Sequence, residues 1–302
     1  MIETMPRDTG RDAREGMLAM IAAMGLLPVG DAIAKLLTGI ASPFEVSVWR
    51  IAMQALFFLP VAILWRHRLR GALLSWPALI SGALFAVTMI CLVSAFQKMP
   101  IATAIAIFFI EPLLLTLLAW PFLGERPGPR RFVAVGVGLI GALIVIRPNF
   151  AIFGPVALFP VGAAIAYALN MILLRHATRD HSALTLQIGA TFCAAIGLCV
   201  LYAGSMMLGQ KATSLTEAPR WIFPALICAG GLLALTFLLI THAFSKVEAS
   251  LLAPFQYLEI VGATIVGLVV FGDFPDALTW LGTAIILGSG IYVFHRERQA
   301  GS

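Results

Sequence analysis

An all-α integral membrane protein, with ten transmembrane helices arranged as two inverted five-helix repeats, is the fold class this chain predicts. Three observations carry that expectation. The 302 residues are 60% hydrophobic and only 12% charged, with a mean hydropathy of +0.96, whereas soluble domains carry about 25% charged residues. Ten runs of mostly apolar residues recur, each long enough to cross a hydrocarbon core of roughly 30 Å as a helix. A pattern of apolar, acidic and helix-breaking residues near position 100 returns 148 residues later. Thirty-five formally charged side chains are too few to clothe a soluble globule of this size. An ordinary soluble enzyme, a nucleic-acid-binding domain and a disordered chain are thereby excluded.

The first span, residues 17–37, follows Arg7, Arg11 and Arg14 and contains Ala32-Ile33-Ala34, the outline of a signal peptide with its cleavage site. The apolar run continues to Leu37, so the segment reads as an uncleaved helix. Spans at 46–65 and 76–97 flank the basic cluster Arg66, Arg68 and Arg70. The fourth, 101–122, holds Glu111 and Pro112 at its middle, and the fifth, 131–148, is short and rich in glycine (Gly136, Gly138, Gly141). The sixth, 154–174, carries Tyr167 and Asn170. Spans at 183–205 and 221–243 contain Cys193, Cys199 and Cys228, which with Cys91 all lie in apolar runs without metal-ligand spacing and read as plain thiols. The ninth, 249–271, carries Pro254, Gln256, Tyr257 and Glu259, and the tenth, 277–295, is again short and glycine-rich (Gly282, Gly288, Gly290).

With the N-terminus in the cytoplasm, fourteen of the 20 Lys and Arg residues fall on cytoplasmic loops and four outside. That asymmetry sets both termini inside and fits an even number of spans. The net charge of +5 is then a topology signal and requires no nucleic acid. The expected organisation is a cytoplasmic tail at 1–16, a first repeat at 17–148, a second at 149–295 and a cytoplasmic tail at 296–302, in a bacterial-type inner membrane.

The repeat itself is legible residue by residue. Ala95, Phe96 and Lys98 recur as Ala243, Phe244 and Lys246, Glu111 as Glu259, Gly124 as Gly272, Glu125 as Asp273 and Pro127 as Pro275. Five helices per copy is an odd number, so the second copy enters the membrane from the opposite side, an arrangement recurrent in transporters that bind substrate at the midplane between halves.

This doubled pattern, A-F-x-K, a mid-helix acid, then G-E/D-x-P before a short glycine-rich helix, resembles the EamA family of the drug/metabolite transporter superfamily. The resemblance covers about residues 17–295. It implies a ten-helix basket around a central cavity, four helices from each half lining it, the short fifth and tenth at the periphery or in a dimer contact. It also implies export or exchange of small metabolites by alternating access, by a monomer or a homodimer. Amino acids, aromatic or other neutral ones, are the first substrate expectation; nucleotide sugars and organic phosphates are the alternative. Several central Lys or Arg residues would be expected for the latter, and Lys35 and Arg50 sit near the outer end.

Ionisable groups within lipid are candidate functional residues. Glu111 and Glu259 occupy equivalent mid-helix positions and suit proton coupling or recognition of a substrate amine, with helix packing as the bland alternative. Phe108 is equivalent to Gln256 and Phe109 to Tyr257, one turn before the glutamates; with Tyr167 and Asn170 they complete the expected substrate-binding or coupling set. Asp31 and Lys35, four apart, share a helix face and are expected to pair. With Arg50 and Trp49 they form an expected outer gate or charge pair. His67, His176, His181, His242 and His295 show no ligand spacing, and no phosphate-binding loop is present, so neither a metal, a cofactor nor ATP drive is expected. An intramembrane enzyme using Glu111 and Glu259 as acid and base would need a nucleophile or metal beside them, and a membrane sensor or scaffold would need an output domain. Small-molecule substrate and lipid are the expected partners, with protons as coupling ion left open.

Overall fold

The computed structural model describes residues 9–123, 129–209, 219–247 and 249–300. Gly124, Glu125 and Pro127 of the first-copy motif, the tail at 1–8 and Lys211 lie outside the described residues.

Among the described residues, twelve helices run in chain order: α1 (Thr9–Leu37), α2 (Pro43–Leu64), α3 (Trp76–Lys98), α4 (Ile101–Phe108), α5 (Glu111–Leu123), α6 (Pro129–Phe153), α7 (Phe159–Ala177), α8 (Ala183–Met207), α9 (Ile222–Lys246), α10 (Ala249–Gln256), α11 (Leu258–Val266) and α12 (Ala277–Ala300). Short 3₁₀ turns occupy Arg66–Arg68 and Gly154–Leu158, and a π-helical turn, Gly267–Phe271, extends α11. Among the described residues, eight helical stretches are long and apolar enough to cross a membrane. One of them, Phe132–Ala177, runs 46 residues through the turn at Gly154–Leu158, and Ala277–Tyr292 forms a shorter apolar helix. The fourth and ninth predicted spans are each broken into two helices. The fifth and tenth, expected to be short, extend to 25 and 24 residues as α6 and α12.

Local chemistry sets the boundaries. Ser42 caps α2: its hydroxyl accepts from the Glu45 amide at 3.3 Å while the Glu45 carboxylate accepts from the Ser42 amide at 3.0 Å, a reciprocal box that satisfies two otherwise orphaned donors. Tyr202 of α8 donates to the other Glu45 oxygen at 3.2 Å, so Glu45 serves the helix start and an α2–α8 tie. Ser75 and Ser182 cap α3 and α8 by accepting from the Ala78 and Thr185 amides, without the reciprocal bond. In the second copy of the G-E/D-x-P motif, Gly272 takes φ +71, a left-handed residue that ends the π turn, with its amide donating to the Leu268 carbonyl at 3.0 Å. Asp276 then caps α12 by accepting from the Thr279 amide at 2.7 Å.

Buried hydroxyl and amide groups mostly return their hydrogen bonds to their own helix, as a non-aqueous surrounding requires. Thr88 donates to the Leu84 carbonyl, Thr116 to Pro112, Thr191 to Gln187, Thr264 to Ile260 and Asn149 to Val145.

The tertiary contacts interleave the two copies. α1 packs on α9 and α3 on α7; α2 packs on α9 and α3 on α8; α1 packs on α11 and α7 on α5; α2 meets α8 and α6 meets α12. Replacing each helix by its counterpart in the other copy returns the same set of contacts. Register agrees: shifting α3, α4 and α6 by 148 residues lands on α9, α10 and α12 within two residues at each end.

Glycines stand at the closest approaches. A Cβ on Gly82 of α3 would come 2.6 Å from the Ala190 carbonyl oxygen of α8, and one on Gly230 of α9, its counterpart, 2.9 Å from the Gln54 amide of α2. Gly141 and Gly282 face each other where α6 crosses α12. Gly138 packs against Leu113 and Ser289, and Gly290 lies under the Tyr257 hydroxyl. A Cβ on Gly136 or Gly288 would meet nothing within 4 Å among the described residues, because both face away from the α6–α12 crossing.

Candidate functional site

The fourth span breaks where its sequence demands it. Pro112 has no amide to offer the Phe108 carbonyl, and its ring disfavours a continuous helix there. The chain tightens instead, the Ile110 amide donating to the Ile107 carbonyl at 3.2 Å, and a new helix starts at Glu111. The equivalent break in the ninth span falls at Tyr257, the counterpart of Phe109, with Pro254 inside α10 three residues earlier. Glu111 and Glu259 therefore both lie in the first turn of a half-helix. Unpaired amides and the helix dipole favour a negative or hydrogen-bond-accepting group at that position.

The breaks bring aromatic rings together. Phe109 and Tyr257 are in ring contact at 5.5 Å between centroids, Phe108 meets Tyr167 of α7 edge-on at 5.6 Å, and Phe108 and Phe109 lie 6.4 Å apart. One chain of rings thus links α4, α7 and the α10–α11 break. α5, which begins at Glu111, packs on α7, which carries Tyr167, and α11, which holds Glu259 in its first turn, packs on α4. Both carboxylates are partly buried, and among the described residues neither has a cationic partner. Asn170, one turn along α7 from Tyr167, is 5% exposed and its carbonyl oxygen accepts no hydrogen bond. Gln256 closes α10 and is partly buried.

The polar residues of α1 and α2 depart from the expected pairing. Asp31 and Lys35 share a face but do not bond to each other. Asp31 accepts from Arg50 Nη2 at 2.8 Å in a pair whose side chains are 7% and 1% exposed. Lys35, one turn nearer the helix end, reaches Asp273 at 2.7 Å, donates to the Met99 carbonyl at 3.2 Å and lies 4.5 Å from the Phe271 ring centroid. Tertiary partners displaced the local one because each offers more buried or better-donated bonds than an i,i+4 contact on one helix. α1 packs on α11 where Pro28 meets Gly262, three residues from Asp31 and from Glu259, which connects the buried pair to the acid and aromatic cluster. Trp49 packs with the apolar cluster that joins α1, α2, α3 and α9 and carries no polar contact of the pair.

Two further features went unread in the sequence. At the opposite end of the bundle from Lys35 and Asp273, Lys246 of α9 pairs with Asp12 and, at 3.7 Å, with Glu15 of α1. Gln54, one turn along α2 from Arg50, is wholly buried, and neither its amide nitrogen nor its oxygen has a hydrogen-bond partner. A glutamine amid an apolar span was the available signal for it.

The comparisons with known proteins agree with this architecture. The profile of the EamA-like transporter family matches residues 14–147 and again residues 154–294. The chain belongs to the EamA-like transporter family. An S-adenosylmethionine uptake transporter of Rickettsia bellii is 27% identical over 278 residues, covering 90% of each chain. A riboflavin transporter of Brucella anthropi is 27% identical over 288 residues, covering 93% of this chain and 98% of its own, and one of Vibrio cholerae is 30% identical over 207 residues, 66% and 64% of the two chains. A crystal structure superposes with a TM-score of 0.60 at 18% identity over 97% of this chain and 99% of the other, a likeness of fold. This EamA-like protein is thus a multi-pass membrane protein of a small-molecule transporter family.

Proposed function

We propose that this EamA-like protein is a secondary transporter of a small amphipathic metabolite that combines a planar ring with an amino or other cationic group, S-adenosylmethionine first and aromatic amino acids next. The carrying observation is the convergence of two carboxylates, Glu111 and Glu259, which have no cationic partner among the described residues, on a chain of four aromatic rings at paired helix breaks. Carboxylates attract a cation, ring faces stack on a planar group and add cation–π attraction, and discontinuous helices suit a midplane site. The Rickettsia relatives, similar over nine-tenths of the chain, support that order of substrates. Riboflavin is the second reading, supported by the riboflavin transporters among the relatives and by the aromatic chain, but it has no cation to meet the two acids.

Transport proceeds by rocking of two inverted five-helix repeats, 17–148 and 149–295, about that site. The double match of the family profile and the exchangeable helix contacts support the repeats. Two ion pairs join the copies at opposite ends of the bundle. Lys35 with Asp273 closes the outer end and Lys246 with Asp12 and Glu15 the inner end, in the orientation that the Lys and Arg distribution favours, with both termini in the cytoplasm. Opening either face breaks one latch while the other holds. The Asp31–Arg50 pair, buried between α1 and α2, positions the inner wall. Glu111 and Glu259, alternately wet and dry, couple substrate movement to protons.

The test is uptake by purified protein in liposomes of labelled S-adenosylmethionine, riboflavin and phenylalanine, with and without a proton gradient. Saturable uptake of S-adenosylmethionine, inhibited by aromatic amino acids, is expected. Uptake of riboflavin with no effect of S-adenosylmethionine or phenylalanine would overturn the proposed order.

A further inference from the structure

Many of the buried hydroxyls of this bundle are satisfied within their own helix, as those of Thr88, Thr191 and Thr264 are. The interior beside the Asp31–Arg50 pair breaks that rule. Gln54, 0% exposed, leaves both an N–H donor and a carbonyl acceptor without partners, and Arg50, 1% exposed, leaves Nε–H without one. The two residues are four apart on α2 and share a face. Arg50 spends Nη2 on Asp31 and has only the Met89 sulfur, at 3.7 Å, beside Nη1. Gln54 is also fixed in place, because Gly230 brings α9 against the α2 backbone at residues 53 and 54. Buried donors and acceptors left unmade are costly, more so away from water. This set is selective in what would satisfy it: N–H donors from Arg50 and Gln54, an acceptor on Gln54 and a carboxylate on Asp31.

We infer that Arg50, Gln54 and Asp31 form a subsite for the α-amino acid headgroup of the substrate. Its carboxylate accepts from Arg50 Nε–H and the Gln54 amide, and its ammonium donates to the Gln54 carbonyl and Asp31. An ion pair already neutral overall suits a zwitterion better than a simple anion, since neither charge of the ligand meets an uncompensated like charge. The subsite adjoins the acid and aromatic cluster where α1 packs on α11, Pro28 meeting Gly262 three residues from Asp31 and from Glu259, so the headgroup and the ring of one elongated ligand are read at separate places. This rests on the proposed transport of amphipathic metabolites and deepens it by naming what recognises one end. S-adenosylmethionine and aromatic amino acids share the headgroup; riboflavin lacks it.

The test compares inhibition of S-adenosylmethionine uptake by S-adenosylhomocysteine, its decarboxylated form and methylthioadenosine, in wild-type protein and in Gln54→Leu and Gln54→Met, reconstituted in liposomes. Phenylalanine uptake against inhibition by phenethylamine runs in parallel. Wild-type protein is expected to prefer the intact headgroup by about tenfold or more, a modest share of a buried polar interaction, and both variants to lose that preference. Melting temperatures of the variants are expected to equal or exceed wild type, since an apolar side chain removes unpaired groups. Wild-type protein without a headgroup preference, or variants that retain it, would overturn the subsite. Failure of S-adenosylmethionine with success of phenylalanine would remove the first substrate and leave the subsite to the phenylalanine pair of ligands. Movement of riboflavin alone would overturn both readings.

Discussion

Asp31 and Arg50 illustrate how a charge is kept in the interior of this bundle. Each is nearly inaccessible, and each has the other at hydrogen-bond distance. Arg50→Met therefore strands a buried carboxylate and is expected to destabilise the protein by about 3–5 kcal/mol, whereas Asp31→Leu combined with Arg50→Met recovers most of that loss. Thermal unfolding of the three proteins in detergent checks this; a single variant as stable as wild type contradicts it. The residue scale is also where the sequence was least informative. Glu111 and Glu259 stood out because acids amid apolar residues are rare and because they sit 148 apart. Asp31 and Lys35 were misassigned to each other because spacing on one helix is visible in a sequence and the approach of α2 and of the segment after α11 is not. Gln54 was passed over because a lone amide carries no motif, and only its burial without partners sets it apart.

At the scale of elements, the breaks in the fourth and ninth spans matter most. Pro112 made the first one legible as a kink; the second falls at Tyr257, three residues past Pro254, and no local signal marks that position. Restoring an amide with Pro112→Ala favours a continuous helix across residues 108–111 and is expected to reduce transport at least severalfold while leaving or raising the melting temperature, since proline is the poorer helix former. Unchanged transport would separate the break from function. Helix crossings give a second prediction. Gly141→Val places atoms where Ile285 and the Gly282 carbonyl already stand, at 2.9 and 3.0 Å from a first Cβ, and is expected to cost about 1–3 kcal/mol. Gly136→Ala meets open space and is expected to be neutral or to stabilise, given alanine's helix preference of about 1 kcal/mol over glycine. Melting curves distinguish them, and equal effects would contradict the crossing geometry. The glycine-rich character of both helices was legible in the sequence, but not which glycines face the partner helix.

For the molecule as a whole, the 148-residue displacement carried most of the fold: it pairs α3 with α9, α4 with α10 and α6 with α12, and the largest helix contacts between the copies are returned when the copies are exchanged. The fifth helix was ended at Pro148, through which α6 runs on to Phe153, and the tenth before the polar stretch 296–300, which stays helical in α12. The two latches make a prediction at this scale. Replacing Lys35 and Asp273 by cysteines and oxidising them, or Lys246 and Asp12 likewise, is expected to arrest transport in either case and to restore it on reduction. Transport that survives both cross-links contradicts alternating closure of the two ends. The central claim is that substrate is carried past Glu111 and Glu259 at the paired helix breaks. Its most direct measurement is the pH dependence of labelled S-adenosylmethionine uptake into liposomes by wild type, Glu111→Gln and Glu259→Gln. Saturable, pH-dependent uptake by wild type with at least a tenfold loss in each variant, about 1.4 kcal/mol or more of lost interaction, is the predicted result. Two variants that both keep wild-type, pH-dependent uptake would contradict it.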